Sequence, residues 1–348
     1  VNRFEYVRPA TVADAIIAAS APHAAYLAAG TNLLDLMKGG ITTPHRLVDV
    51  TQLPALTGIR HDSDGGVRIG ALVRNSELAH DPSFARRFPM VSEALLAGAS
   101  AQLRNAATVG GNLMQRTRCA YFYDIASACN KRSPGAGCEA IGGETRGHAV
   151  LGWSAQCIAT HPSDFCVPLA ALDAVLEIEG PSGRRCVPIE HFHLLPGETP
   201  HIETVLAPGE LIVAVRLPPQ AAAFAGHARY LKLRDRTSYA FAVLSVAACV
   251  RMDGEIITEA RVGLGGVAAK PWRARAAEAL LAGRSADMDT LRAAADAALA
   301  QATPSGENGY KIELARRMVI RTLKLAIAGT PDRNPALPSS VFSETPHG

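Results

Sequence analysis

The chain has 348 residues, 48% of them hydrophobic and 19% charged, which excludes a largely disordered polypeptide and leaves room for two or three cores. Its formal charge of +3 comes from scattered Lys and Arg, and only 5% of residues are aromatic, so nucleic acid is excluded as a partner. The longest nearly apolar run, Tyr239 to Val250, is too short for a bilayer span of roughly 20 residues, so no membrane span is expected.

The N-terminal Val1-Asn2-Arg3-Phe4-Glu5-Tyr6 lacks an apolar signal core. The expected location is cytoplasmic, or periplasmic if a partner subunit carries the export signal. Thr11 can cap a helix whose apolar face is Val12, Ala15, Ile16 and Ala19. A short strand, Tyr26 to Ala28, runs into a turn at Ala29-Gly30-Thr31-Asn32 and a helical turn from Leu33 to Met37. Strands follow at Arg46 to Val50 and, after the Asp64-Gly65-Gly66 turn, at Val67 to Gly70. Further on, Ala174 to Glu179 and Cys186 to Ile189 flank a Gly-Pro-Ser-Gly turn and predict a hairpin, and Leu211 to Val215 another strand.

Pro218 to Gly226 reads as a linker. Beyond it, two strands (Tyr239 to Val250 and Ile256 to Leu264) precede helices around Ala274–Leu281, Asp287–Ala302 and Lys311–Ala328. Ala315, Met318, Val319, Leu323 and Ala326 share one face of the last helix. Strands followed by helices mark a separate α+β domain. The tail, Thr330 to Gly348, holds four prolines and is expected to need the body of the chain or a partner subunit to order it, with a partner favoured.

Two segments carry small residues next to hydroxyl or amide side chains: Leu27-Ala28-Ala29-Gly30-Thr31-Asn32-Leu33 and Ala107-Thr108-Val109-Gly110-Gly111-Asn112-Leu113. Such backbones let N–H groups approach phosphate oxygens where a Cβ would intrude. Neither is a G-x-G-x-x-G fingerprint, so a Rossmann site is not expected. Four of the seven cysteines, Cys119, Cys129, Cys138 and Cys157, are spaced C-x9-C-x8-C-x18-C. The C-x2-C knuckles usual in zinc sites are missing, and so is the ferredoxin run. Four thiolates are nevertheless the number that a [4Fe–4S] cluster needs, and zinc or no metal stays open at this point. Cys166, Cys186 and Cys249 stand in apolar surroundings and are expected to be buried.

The Ala-Ala-Gly-Thr-Asn-Leu and Thr-Val-Gly-Gly-Asn-Leu pair resembles the pyrophosphate-binding segments of the molybdenum hydroxylase flavoprotein family, which includes the FAD-binding parts of xanthine dehydrogenase, carbon monoxide dehydrogenase and aldehyde oxidoreductase. Phe4 to Thr11, Leu47 to Val50, Asp164 before Val167 to Ala174, Tyr230 to Arg234 and Tyr239 to Ala242 extend the resemblance over about residues 1 to 330. It implies an α+β fold: a two-subdomain FAD-binding domain at 1–222, a smaller domain of the carbon monoxide dehydrogenase flavoprotein C-terminal type at 226–330, and an extended tail at 331–348. It also implies non-covalent FAD, with backbone amides of Ala28 to Leu33 and Val109 to Asn112 on the pyrophosphate and with Asp164 and Lys232 near the flavin.

Between Asn112 and Asp164 stands an insertion, about residues 115–163, containing the four cysteines. It resembles bacterial aldehyde oxidoreductase flavin subunits, which carry a [4Fe–4S] cluster there; hydroxybenzoyl-CoA reductase subunits have a comparable insertion. Arg116, Arg118, Lys131 and Arg132 would offset the charge of such a cluster. The resemblance implies an electron-transfer subunit of a heterotrimeric, molybdenum-dependent aldehyde oxidoreductase. A large subunit would hold the molybdenum cofactor and a small one two [2Fe–2S] clusters. The alternatives are the flavin subunit of a xanthine dehydrogenase or hydroxybenzoyl-CoA reductase, or a zinc-stapled binding module without redox function.

Overall fold

A computed structural model describes residues 1–332 and has an α+β architecture of three sheets. The first is parallel: β1 (Glu5–Val7) and β2 (Ala24–Leu27) flank β3 (Arg46–Asp49). As expected, the Thr11 side chain caps the Val12–Ala19 helix by accepting the Asp14 N–H at 3.1 Å. Ala15 and Ala19 of that helix pack with Val48 and Val50, so the helix covers the parallel sheet.

The second sheet is antiparallel. It contains β4 (Ile59–His61), β5 (Val67–Gly70), β6 (Val175–Gly180), β7 (Gly183–Pro188) and β8 (Leu211–Leu217), in the order β4-β5-β8-β6-β7. The hairpin read from the sequence is β6–β7, with Leu176 opposite Val187. Helices at Asn75–His80, Pro82–Arg87, Pro89–Ala97, Ala101–Ala106 and Val109–Leu113 connect β5 to the insertion. Their buried residues, Leu78, Phe84, Met90 and Val91 among them, share a core with Ile69, Leu176 and Val215 of the sheet.

The third sheet comprises β9 (Ala228–Leu233), β10 (Leu244–Asp253), β11 (Ile256–Gly265), β12 (Trp272–Arg273) and β13 (Arg284–Ser285). Strand β10 explains the unbroken apolar run. Ala247 and Cys249 face the core of the second sheet, whereas Leu244, Val246, Ala248 and Val250 face helices Arg275–Leu281, Met288–Ala298 and Tyr310–Ile327. Side chains alternate along a strand, so a strand covered on both faces is apolar at every position.

Three expectations are corrected. The strand begins at Leu244, not Tyr239, which is exposed with φ 49° in a turn ahead of it. Pro218 to Gly226 is no free linker: Pro219–His227 is a 3-10 helix whose Ala221 and Phe224 are buried in the core. Cys186 is exposed on β7, because it lies on the outer face of the hairpin, while Cys166 and Cys249 are buried as expected. The expectation for the tail falls on residues 333–348, which lie outside the described residues. Among the described residues no helix is long and apolar enough to cross a membrane.

Candidate functional site

Strand β2 ends at Leu27, whose carbonyl accepts the Val50 N–H at 3.0 Å. The chain then turns sharply at Gly30, which has φ +74°, a conformation that favours glycine. A Cβ there would sit 2.7 Å from Leu34 Cδ1. The turn delivers Ala28, Ala29, Gly30, Thr31, Asn32 and Leu33 to the wall of a cavity of about 500 Å³, within the roughly 300–1,000 Å³ of small-molecule pockets. Thr108, Gly110 and Gly111 supply the facing wall, with Arg116 and the Leu206 to Ile212 stretch. Both glycine segments thus meet at one cavity, although Leu27, Val109 and Asn112 stand behind its surface.

The two segments differ in what they offer. Asn32 Oδ1 accepts the Arg116 N–H at 3.0 Å, which leaves its buried Nδ2 without a partner. A buried amide donor without an acceptor is costly, and an anionic oxygen in the cavity would satisfy it. In the second segment the backbone donors are already used. Val109 N–H donates to the Val73 carbonyl (2.9 Å), Gly110 N–H to Ala71 (2.8 Å) and Asn112 N–H to Thr108 (2.8 Å). The Thr108 hydroxyl caps the Val109–Leu113 helix by accepting the Gly111 N–H at 3.2 Å.

A short capped helix, not an open loop, occupies the segment expected to offer the amides of Val109 to Asn112. Gly110 is needed for packing, since a Cβ would lie 3.0 Å from the Ala71 Cβ and 3.2 Å from its carbonyl oxygen. Asn112 points elsewhere. Its Oδ1 accepts the Ser163 hydroxyl at 2.7 Å and the Gln115 amide at 2.6 Å, tying the helix to the residue before Asp164.

Asp164 and Lys232 come together. Lys232 Nζ donates to Asp164 Oδ2 at 2.7 Å and to the Ala97 carbonyl at 3.1 Å, while the Tyr230 hydroxyl donates to Asp164 Oδ1 at 2.6 Å. Both charged side chains are buried, so the pair joins the first domain to β9 with its charges mutually satisfied. Burial and the neighbouring Asp164 carboxylate push the Tyr230 hydroxyl far above its ordinary range, keeping it a donor. Neither Asp164 nor Lys232 lines the 500 Å³ cavity.

The insertion has one short helix, Ala120–Tyr123, and isolated bridges at Cys129 with Cys138 and Ser154 with Cys157. It folds by local polar bonds. Asn130 Oδ1 accepts the Gly137 N–H at 2.8 Å, and the Asn130 amide donates to Gln156. All four cysteines line a single small cavity together with Thr117, Phe122 and Lys131. Burial pushes the Cys119 thiol up to about 11 and also raises Cys157, where Lys131 opposes the rise.

Of the four basic residues, only Lys131 reaches the cysteine cavity. Its Nζ pairs with Glu203 Oε1 at 2.7 Å, and Arg116 Nε pairs with Glu203 Oε2 at 2.5 Å. Burial would raise the Glu203 carboxyl, but Lys131 and Arg116 together hold it below the ordinary glutamate value. Sequence reasoning missed Glu203, which bridges a wall residue of one cavity to a wall residue of the other. Only tertiary folding brings it there, 72 residues after Lys131. Arg118 instead donates to the Tyr123 hydroxyl at 2.6 Å and lies over Phe241, and Arg132 binds the carbonyls of Tyr121 and Phe122.

A cavity built by two glycine segments on a two-sheet domain, followed by a sheet covered by three helices, defines a flavoprotein architecture. Residues 2–220 match the FAD binding domain in molybdopterin dehydrogenase, and residues 229–326 the CO dehydrogenase flavoprotein C-terminal domain; the chain belongs to this family of FAD-binding subunits of molybdenum hydroxylases. The aldehyde oxidoreductase FAD-binding subunit PaoB of Escherichia coli K12 is 52% identical over 94% of this chain and 99% of its own. The carbon monoxide dehydrogenase medium chain of Hydrogenophaga pseudoflava is 30% identical over 94% of this chain and 98% of its own. A solved structure of carbon monoxide dehydrogenase from that organism superposes with a TM-score of 0.73 at 30% identity, covering 94% and 98% of the two chains.

Proposed function

We propose that the chain is the FAD-binding electron-transfer subunit of a heterotrimeric, molybdenum-dependent aldehyde oxidoreductase, relaying electrons from [2Fe–2S] clusters of a small partner subunit to an external acceptor. The reading includes a [4Fe–4S] cluster bound by Cys119, Cys129, Cys138 and Cys157, and domains at 1–222, with the 115–163 insertion, and 226–330. The single observation that carries it is the pairing of two cavities. One is walled by both glycine segments and the other by all four cysteines, with Glu203 between them. The 52% identity to an aldehyde oxidoreductase subunit supports the substrate class.

When bound, FAD would store and release electrons, chemistry that belongs to the cofactor. The chain's residues bind and tune. Asn32 Nδ2 and the backbone of Ala28 to Leu33 are the donors for the pyrophosphate, and Thr108 and Gly111 shape the opposite wall. Arg116 adds positive charge whose other side is held by Glu203. Asp164 and Lys232, a charged pair that stays buried, hold the domain junction, and Ser163 beside Asp164 ties it to Asn112. Four thiols lining one small cavity suit a cluster, because iron favours soft sulfur ligands.

The test is the composition and activity of the purified chain with and without its partners. One FAD and four irons per chain are expected, with flavin reduction by dithionite and no aldehyde turnover. Adding the molybdenum and [2Fe–2S] subunits should let an aldehyde bleach the flavin. A colourless zinc protein would refute the cluster, and aldehyde turnover by the isolated chain would refute the relay.

A further inference from the structure

Outside both cavities, His161, Cys166 and His193 each offer a ligand atom, and these three atoms lie within 4.8 Å of one another. The histidine rings are 4.3 Å apart at their centroids. Cys166 opens the Cys166–Ala171 helix, His193 follows the Ile189–Phe192 helix, and His161 stands on the segment from Cys157 to Asp164. Three elements therefore converge.

The hydrogen-bond accounting is incomplete there. His193 Nε2 donates to the Leu113 carbonyl at 2.9 Å, which fixes its proton on Nε2 and leaves Nδ1 a lone pair; that Nδ1 is buried without a partner. His193 itself is 3% exposed. His161 Nδ1 faces the Ser163 N–H at a long 3.4 Å, and its Nε2 is likewise buried and unpartnered. Two orphaned imidazole nitrogens and a buried thiol facing one another form an incomplete polar site, and such groups ordinarily find a partner. An imidazole whose other nitrogen donates to a backbone carbonyl is the usual arrangement of a metal ligand.

We propose that His161, Cys166 and His193 bind one divalent metal ion of borderline softness, zinc by its chemistry, in a site separate from both candidate cofactor cavities. Two imidazoles and a thiolate form a zinc donor set, with a water molecule completing the tetrahedron. Zinc–nitrogen and zinc–sulfur bonds of about 2.0–2.3 Å put ligand atoms roughly 3.3–3.6 Å apart, so the three atoms need to close by at most about 1.5 Å. Binding releases the Cys166 proton to solvent, and the ion's charge replaces it. The ion would fix the loop from His161 to Cys166 against His193, and so hold Asp164, which lies within that loop.

The test uses the full chain with its iron and flavin retained, dialysed against zinc and, in parallel, titrated with cobalt(II). One zinc per chain beyond the iron is expected, with a thiolate-to-cobalt absorption band in the near ultraviolet. His161→Gln, Cys166→Ser and His193→Gln should each weaken binding by at least about 10-fold, since even outer partners of a metal matter by that much. Iron content and circular dichroism should stay unchanged; His161→Gln, at the least buried of the three positions, is the variant least able to disturb folding. Equal zinc in the wild type and His161→Gln, or no zinc in either, overturns the proposal. So does zinc that disappears with Cys129→Ser but survives His161→Gln.

Discussion

Around the glycine segments, regular elements do the positioning: β2 hands the chain to the Gly30 turn, and the Thr108-capped helix is bonded to Val73 and Ala71. Around the cysteines there is one four-residue helix, and long-range polar anchors take over. Lys311, fully buried on the last helix, donates to the carbonyls of Gly147 (3.2 Å), His148 (2.8 Å) and Gly266 (2.6 Å). Asn308 donates to the His148 and Ala149 carbonyls, both at 3.1 Å. Val150 and Leu151 then join the core of the C-terminal sheet. The first region owes its shape to local backbone preferences, and the second borrows its order from a domain more than 100 residues away.

The largest expected effect separates the two regions outright. Cys138→Ser should remove nearly all iron, because serine is a poor ligand for iron that prefers thiolates, while FAD content stays near one per chain. Cys186→Ser, on the exposed face of β7, should change neither. Four irons per chain in the Cys138 variant would mean that the ligand set is wrong.

Next comes the anchor. Lys311→Met takes the donor from the buried Gly266 carbonyl and from Gly147, while Asn308 still serves His148, and should cost about 1–3 kcal/mol near neutral pH, read as a lower urea midpoint. Burial also lowers the Lys311 ammonium from the usual 10.5 to about 8. Between these values the unfolded chain binds more protons than the folded one, so this residue makes stability rise with pH across that window. The penalty is fully present below about 8. Comparison of wild type with Lys311→Met should show the rise only in the wild type; parallel profiles would mean that Lys311 is folded in at its ordinary value.

Gly30→Ala tests the other region. The left-handed φ costs a side chain about 1–2 kcal/mol, and the Cβ must displace Leu34. FAD retention should weaken by at least about 10-fold, equivalent to roughly 1.4 kcal/mol, with iron content intact. Iron and flavin falling together would show that the two regions do not fold independently.

This contrast also sets how much was legible in the sequence. The Gly30 turn, the Thr11 cap, the β6–β7 hairpin and the apolar face of the last helix are local signals, and each stands where the pattern put it. Asp164 and Lys232, both expected near the flavin by resemblance alone, form a direct pair that Tyr230 joins. The helical form of the second glycine segment was not legible because a capped helix and an open loop share the same Thr-x-Gly-Gly letters. What decides is whether Val73 and Ala71 accept its N–H groups, and that is a tertiary fact. Phe224 and Ala221 were read as linker for the same reason: the flanking prolines and Gly226 signal a break, and only the neighbouring core shows that the break is buried. Glu203, Asn308 and Lys311 carry no local signal, since a lone charged or amide residue looks the same on a surface as under a domain.

The smallest expected effect asks whether surface charge shares in anchoring the insertion. Arg146 in the insertion forms a two-pronged pair with Asp235, just beyond β9, at 2.9 and 2.8 Å. On distance alone it rivals the Lys311 bonds. Yet the two side chains are 56% and 60% exposed, so water and salt already compensate each charge, and holding both long side chains in one geometry offsets part of the attraction. Asp235→Asn should therefore cost no more than about 0.5 kcal/mol, shrink further in high salt, and leave iron and FAD content alone. A loss above about 1 kcal/mol, or any loss of iron, would place part of the insertion's order at the surface and weaken the distinction between a buried anchor and an exposed one.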